Sequence, residues 1–185
     1  MENEVKVNPL HQVRWYVMRA YKCETFAEEC LEKAVGIQYF IPKQYKVQSY
    51  HGKKIRRLVP VIPSLVFVHA TRAEILAFKK THNFLQFAMW KKSTGTEFIT
   101  VPEHEMQSFI SIASQIEEDI VYYAPGEIQI KPNSRVRIHG GSFDGVEGHF
   151  QRVVGSRARR LVVLLDGVLG ISAEVSPDFV EVLSE

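Results

Sequence analysis

The sequence has few features of a membrane-spanning, secreted or disulfide-bonded protein. Its 185 residues contain no apolar run near the roughly 18 to 20 residues that span a bilayer. The segment Met1–Glu4 has neither a basic stretch nor an apolar core, so we expect no secretory signal. The two cysteines, Cys23 and Cys30, fit no C-x-x-C or zinc pattern, which is typical of reduced thiols. We therefore expect a cytoplasmic protein that does not contact a membrane.

The sequence also lacks a strong excess of one charge. Lys and Arg number 23 against 21 Asp and Glu, which gives a formal net charge of +2. This total does not by itself indicate a partner of opposite charge, so any argument for nucleic-acid binding must come from local clusters of cations.

Residue patterns of a catalytic or metal site are absent as well. The seven histidines show no H-x-x-x-H spacing, and no G-x-S-x-G sequence is present. The glycine-rich stretch 140–148 lacks the G-K-[ST] ending of a phosphate-binding loop. We predict a protein that is not an enzyme and that needs no metal and no cofactor.

What is present in the first two thirds of the chain indicates mixed α and β structure. Segments rich in β-branched and aromatic residues, such as 13–19 and 65–68, predict strands. Two sequences fit capping boxes at the start of helices, Thr25 with Glu28 and Thr71 with Glu74. A third helix is predicted after Pro102, where apolar residues recur at helical spacing as far as residue 116.

Beyond residue 129 the pattern predicts strands only. They are five short segments, at 135–139, 149–154, 161–165, 170–175 and 179–183. So many short strands in so few residues favour a small closed barrel, which has no exposed sheet edge. We therefore predict an α+β protein with a flexible N-terminus at 1–11, an α/β domain at 12–119, a linker at 120–128 and an all-β barrel at 129–185.

A glycine-rich turn at residues 136–148 is the most distinctive stretch. The sequence V-R-I-H-G-G-S-F-D-G-V-E-G predicts a strand, a turn that carries one apolar residue (Phe143), and a second strand entered through Gly148. We expect Gly145 and Gly148 to supply the positive φ angles of the turn. The pattern resembles the KOW motif, which marks a small SH3-like β-barrel in transcription elongation factors and some ribosomal proteins.

Four motifs ahead of this turn resemble the NGN domain of NusG-type transcription factors. They are W-Y-V-M-R-A-Y (15–21), H-G-K-K-I-R-R (51–57), V-I-P-S-L-V-F-V (61–68) and V-P-E-H-E-M (101–106). Each motif is weak alone, but all four occur in the family's order with the KOW-like turn behind them. The resemblance implies an NGN-type α/β sandwich domain followed by a KOW barrel.

Within that family the chain looks like a specialised paralogue, of the RfaH-like type and especially the UpxY-type antiterminators of capsule operons. The family pattern F-P-G-Y is replaced by I-P-S-L (62–65), and the turn G-P-F by G-S-F (141–143). The resemblance implies a monomeric antitermination factor that suppresses pausing or termination on particular long operons. Two alternatives stay open: a general NusG elongation and termination factor, or a KOW protein that binds RNA or the ribosome and never contacts polymerase.

The resemblance also implies that the NGN domain binds the clamp helices of RNA polymerase, through Arg19, Leu65 and Phe67. Leu65 and Phe67 share one face of their strand, and the two valines between and after them share the other. One face must pack on the helices of the domain, so we expect the face of Leu65 and Phe67 to be available to polymerase. The alternative is that both belong to the core of the sheet.

Basic residues cluster in the second of these motifs. Lys53, Lys54, Arg56 and Arg57 occupy four of five consecutive positions in a predicted hairpin. Such clusters bind phosphates because each contact releases condensed counterions. We expect the hairpin, with Lys22 beside the first helix, to contact the upstream or non-template DNA that lies near the NGN domain in this family. The alternative is an ordinary solvated hairpin.

For the KOW domain the resemblance implies a second partner, Rho or a ribosomal protein, bound by the turn at Phe143 and Asp144. Phe143 could instead plug the end of the barrel. A basic hairpin tip around Arg157, Arg159 and Arg160 could contact RNA or be a solvated turn. In some RfaH-like proteins the KOW segment folds as a helical hairpin, but this one is rich in β-branched residues without an apolar helical stripe, so we predict a barrel.

Overall fold

The computed structural model describes residues 10–21, 24–115, 119–132 and 134–183. These residues form three α-helices and fifteen β-strands, which confirms the predicted α+β fold. The chain divides into two compact units, Met1–Pro102 and Glu103–Glu185. The N-terminus predicted to be flexible, 1–11, lies outside the described residues except for residues 10 and 11. None of the helices in the described part is long and apolar enough to cross a bilayer.

The first unit is built on a five-stranded antiparallel sheet. Its strands, in the order β2-β5-β1-β6 with β9 also paired to β1, are Val13–Ala20 (β1), Gln38–Phe40 (β2), Leu65–Thr71 (β5), Leu85–Phe87 (β6) and Thr100–Val101 (β9). The two helices of this unit are Glu24–Glu32 (α1) and Arg72–Thr81 (α2). β1 and β5 are the central strands and pair over seven residues.

A buried cluster of this unit lies between the two helices and one face of the sheet. Alternate residues of the central strands, such as Met18, Val66 and Val68, form one buried cluster with Leu31 of α1 and Ile75 of α2. Because successive residues of a strand point to opposite faces, the pattern that puts Val66 and Val68 against the helices puts Leu65 and Phe67 on the other side. The predicted division of β5 into two faces is confirmed.

The helix starts differ in how well the sequence predicted them. α2 begins at the expected capping box, in which the Thr71 hydroxyl accepts from the Glu74 backbone N–H and the Glu74 carboxylate accepts from the Thr71 backbone N–H. The prediction at Thr25 was wrong, because α1 already begins at Glu24 and Thr25 lies inside it. A Thr-x-x-Glu sequence also occurs within helices, so the pattern does not by itself locate the first turn.

Two hairpins of the first unit form separate two-stranded sheets. One joins Lys43–Tyr50 (β3) to Lys53–Pro60 (β4) through the predicted tight turn at His51 and Gly52. The other joins Met89–Lys92 (β7) to Gly95–Phe98 (β8). Eight paired residues give the first hairpin an extended length of about 27 Å, at roughly 3.4 Å per residue.

The second unit contains one helix and a six-stranded antiparallel sheet. The elements are Glu103–Ala113 (α3), Ile120–Tyr123 (β10), Arg135–Ile138 (β11), Glu147–Arg152 (β12), Arg159–Leu165 (β13), Leu169–Glu174 (β14) and Val180–Val182 (β15). Their order in the sheet is β10-β14-β13-β12-β11-β15. The last five strands correspond to the five predicted ones, so the C-terminal segment is a β-domain rather than a helical hairpin.

The division between the units differs from the predicted linker at 120–128. Residues 120–123 form β10, which pairs with β14, and α3 packs against β12, β13 and β14. The helix buries Met106, Phe109 and Ile112 completely, and the Phe109 ring lies 6.4 Å from that of Tyr122. The spacing of apolar residues shows which face of a helix is buried but not which sheet covers it. Sequence reasoning therefore assigned α3 to the first domain, whereas the structure places it in the second unit.

The glycine-rich turn has the predicted shape for two different reasons. Gly145 has φ of +78°, as expected. Gly148 is not in the left-handed region, so the reason predicted there was wrong. A Cβ on Gly148 would lie 2.6 Å from the Val162 carbonyl oxygen of the neighbouring strand, and this close approach requires glycine.

A buried arginine ties the start of β10 to the centre of the second sheet. Arg160 is 4% exposed, and its guanidinium donates to Ser172 Oγ at 2.9 Å, to Asp119 Oδ2 at 2.8 Å and to the Asp119 backbone carbonyl. A buried cation of this kind is stable only when its donors are satisfied. Arg160 therefore has a structural role and is not part of an exposed basic tip.

Candidate functional site

The three residues predicted to bind polymerase lie together in the first unit. Arg19 is paired directly with Leu65, and Val17 with Phe67, in the β1–β5 ladder. Residues directly opposite in an antiparallel ladder share a face, so Arg19 stands on the same side of the sheet as Leu65 and Phe67. Arg19 is half-buried, whereas Leu65 and Phe67 are 1% and 0% exposed. The face predicted to be available is thus covered, and a partner could reach Leu65 and Phe67 only after this face is exposed.

The same face carries a tryptophan with an unsatisfied donor. Trp15 pairs with His69, and their rings stack with centroids 4.7 Å apart. Trp15 is 3% exposed, and its Nε1–H has no hydrogen-bond partner among the described residues. A buried donor left without a partner costs about 1–3 kcal/mol. This cost would be recovered if a partner placed an acceptor next to the indole.

The turn that leads into β5 is held in an unusual backbone conformation. Ser64 has φ of +61°, which lies in the left-handed region that residues other than glycine seldom adopt. The Ser64 backbone N–H donates to the Glu24 carboxylate at the start of α1, and its carbonyl accepts from Ala20 N–H at 2.8 Å. These contacts hold the turn at the end of β1, and Ser64 occupies the position where the resembled pattern F-P-G-Y has glycine.

All four cations predicted to bind nucleic acid lie in β4 of the β3–β4 hairpin. The register opposes Lys53 to Tyr50 and Arg57 to Lys46, so these four side chains share one face of the hairpin. Lys54, Arg56 and Tyr45 are on the other face. All four cations are exposed. Lys22, the fifth residue predicted for this role, lies outside the described residues.

Positive charge is concentrated in this hairpin. Residues 43–60 contain six Lys and Arg and no Asp or Glu, while the rest of the chain carries 17 basic and 21 acidic side chains. Lys43 pairs with Glu28 at 2.7 Å, but the other five cations form no ion pair with any described residue. Arg56 lies over the Tyr45 ring at 3.9 Å and Arg57 over the Tyr50 ring at 5.3 Å. The hairpin is therefore an exposed basic arm with two aromatic rings.

The KOW-like turn places its two predicted partner-binding residues differently. Phe143 is 5% exposed, so it packs into the domain, which corresponds to the alternative in which it plugs the end of the β-domain. Asp144 is exposed, and its carboxylate accepts from the Gly140 backbone N–H at 2.5 Å. The exposed aromatic at this turn is Phe179, whose ring packs over Gly140. Sequence reasoning missed Phe179 because it lies 36 positions after Phe143 in the chain, and only the pairing of β11 with β15 brings it to the turn.

The charged residues that flank this turn are paired. Glu147 accepts from Arg137 Nη2 at 2.5 Å and from Arg135 Nη2 at 3.2 Å. The hydrogen bond from Arg137 is the main reason that the pKa of Glu147 lies below its usual range. Across the described stretches, no three His, Cys, Asp or Glu side chains are grouped so as to hold a metal ion.

Comparison with known proteins identifies one family. The family model described as transcription termination factor nusG matches residues 13–110 of this chain. Among solved structures, one titled "Domain interaction in Thermotoga maritima NusG" is similar, with 17% sequence identity and a TM-score of 0.42, over 94% of this chain and 98% of that chain. No curated protein sequence matches.

The conformation of Ser64 generates a stability prediction. Ser64→Gly should raise the free energy of unfolding by about 0.5–1 kcal/mol, because relief of roughly 1–2 kcal/mol of left-handed strain exceeds the entropy cost of glycine. Ser64→Ala keeps the strain and removes only the hydroxyl, so it should be no more stable than the wild type. Urea unfolding of the three proteins measures both differences, and a glycine variant less stable than the alanine variant would contradict the strained conformation.

Proposed function

This chain belongs to the NusG family of transcription factors, and from that premise we propose that it is a transcription elongation and antitermination factor. The proposal is that its first unit binds RNA polymerase and suppresses pausing or termination. The observation that carries it is the family match over residues 13–110, which includes the β1–β5 pair and the basic hairpin. In this role the protein would act in the cytoplasm as a monomer, without a cofactor and without catalysing a reaction.

The polymerase site that we propose is the face of β1 and β5 that carries Arg19, Leu65 and Phe67, with the clamp helices as its partner. A few well-packed residues near the centre of an interface contribute most of its binding energy, and a charged residue at the margin helps to orient the partner. Leu65 and Phe67 would supply the apolar centre and Arg19 the margin. Their burial means that binding includes a step that exposes this face, and the unsatisfied indole of Trp15 would then be able to find an acceptor.

For the basic hairpin we propose contact with the upstream or non-template DNA beside the polymerase. Lys53, Lys54, Arg56 and Arg57 are exposed and have no carboxylate partner among the described residues, so binding phosphates breaks no existing ion pair. Tyr45 and Tyr50 offer ring faces on which unpaired bases can stack. Lys22 is included in this site on its sequence position only.

We further propose that the chain is a specialised paralogue of the UpxY type, which acts on long operons such as those for capsular polysaccharide. The departures from the family pattern at Ser64 and Leu65 support this reading, since Ser64 takes a left-handed backbone conformation at the position where the pattern has glycine. A general NusG factor would instead act on all operons and bind Rho. In either case the turn at Asp144 would contact the second partner, Rho or a ribosomal protein, while Phe143 supports that turn from inside the domain.

The polymerase site is best tested by changing Arg19, because charged substitutions at Leu65 or Phe67 would unfold the sheet in which they are buried. Arg19→Ala should weaken binding of the full chain to core RNA polymerase about tenfold, the effect of losing roughly 1.4 kcal/mol at an interface. The measurement is a titration followed by fluorescence anisotropy. Arg14→Ala, on the same strand but exposed, is the matched control. Equal binding by the Arg19 variant and the wild type would contradict the site.

The hairpin site makes a prediction about salt. In the variant with Lys53→Gln, Lys54→Gln and Arg57→Gln, affinity for a DNA duplex with an unpaired bubble should fall, and the slope of log affinity against log salt should decrease by about 2. This follows from about 0.7 for each lost single-strand phosphate contact. The control carries Lys33→Gln, Lys80→Gln and Lys91→Gln, which change the net charge equally at exposed positions outside the hairpin. An equal loss in both variants would indicate an effect of net charge alone.

A further inference from the structure

We propose that the C-terminal β-domain carries a second site for nucleic acid, which binds the phosphates and a base of a single-stranded segment. The site is a cavity of about 370 Å³ lined by Lys131, Arg152 and Arg159 together with Ser134, Phe150 and Gln151. Its described lining residues all belong to the second unit. None of them belongs to the turn at Asp144, to the basic hairpin or to the proposed polymerase site.

The fold places the three cations of this cavity together by two independent means. Arg152 at the end of β12 is directly opposite Arg159 at the start of β13, so their side chains share a face. Lys131 is brought to the same place by Gln151, which is 5% exposed. The Gln151 amide accepts from Lys131 N–H at 2.9 Å and donates to the Gln129 carbonyl at 3.0 Å. A buried side chain thus fixes the chain segment that carries the third cation.

Among the described residues, no acidic side chain lines the cavity and none forms an ion pair with any of its three cations. Like charges directly opposite each other in a sheet are destabilising. Three other arginines of the same domain are neutralised: Arg135 and Arg137 share Glu147, and Arg160 is bonded to Asp119. The cavity is therefore a place where the domain leaves positive charge for an anion from outside.

The chemistry of the cavity selects phosphate with an attached base. Two guanidinium groups and one ammonium together offer more donors than a single carboxylate or chloride can accept from, whereas the several oxygens of a phosphate can bind more than one of these cations. A volume of about 370 Å³ lies within the range of ligand pockets, roughly 300–1,000 Å³, and exceeds what a bare phosphate needs. The half-buried ring of Phe150 lines the same cavity, and an unpaired base can stack on such a ring. A duplex offers no unstacked base, so the ligand is a single strand.

The test uses the full chain in a background that removes the hairpin contribution, with Lys53→Gln, Lys54→Gln and Arg57→Gln in every protein. The probes are labelled twelve-residue oligouridylate RNA and oligothymidylate DNA, with inorganic phosphate, uridine monophosphate and a duplex of the same length as competitors. The site variant carries Arg152→Gln and Arg159→Gln. Its matched control carries Arg157→Gln and Lys33→Gln, which are exposed, outside the cavity and equal in charge.

We expect the site variant to bind the single strands at least fivefold more weakly than the control, with a salt slope lower by about 1.4, from two contacts of about 0.7 each. Phe150→Leu should weaken oligonucleotide binding without changing competition by inorganic phosphate, and the stronger of the RNA and DNA probes identifies the source of the strand. Equal affinity of the site variant and the control would overturn the proposal. So would a duplex that competes as well as the single strand, or phosphate that competes as well as uridine monophosphate.

Discussion

The antiparallel pairing of β1 with β5 is the contact on which the first unit depends. It places Met18, Val66 and Val68 against the helices and, by the alternation of the strands, gathers Trp15, Leu65 and Phe67 on the opposite face. A shift of the pairing by one residue would move each set to the wrong side. The core and the proposed polymerase site are therefore two consequences of one register. The capped start of α2 and the Glu24 contact to Ser64 fix the two ends of β5.

Charge is distributed so that the hairpin and the cavity differ from the rest of the surface. A net charge of +2 conceals an acid-free hairpin with six cations and a remainder in which acids outnumber bases. Most other cations of the second sheet have carboxylate partners, which leaves no free charge, although the exposed pairs among them contribute little stability. The positions without partners are the ones where binding an anion involves no loss of an existing interaction. Local pairing, rather than composition, distinguishes candidate binding surfaces from ordinary solvated ones.

Sequence reasoning closely predicted the strands and two of the three helices, and it predicted that an α/β domain precedes a β-domain. These features depend on periodicity over neighbouring residues. Sequence reasoning could not place α3, since an amphipathic helix does not specify the sheet that covers it. It also could not foresee the burial of Leu65 and Phe67, because alternation shows that two faces exist and not whether the second is covered. Two further placements depend on residues that are distant in sequence. The pairing of β11 with β15 brings Phe179 to the turn at Gly140, and the buried Gln151 brings Lys131 to the cavity that Arg152 lines.

The central claim is that the β1–β5 face of the first unit meets RNA polymerase, and photo-crosslinking tests it most directly. A benzophenone side chain at position 19, at the margin of that face, is compared with one at position 154, which is fully exposed in the second unit. The full chain is irradiated with core RNA polymerase, and the crosslinked peptides are identified by mass spectrometry. The account predicts that position 19 captures the clamp helices and position 154 does not. Capture of polymerase from position 154 alone would contradict it.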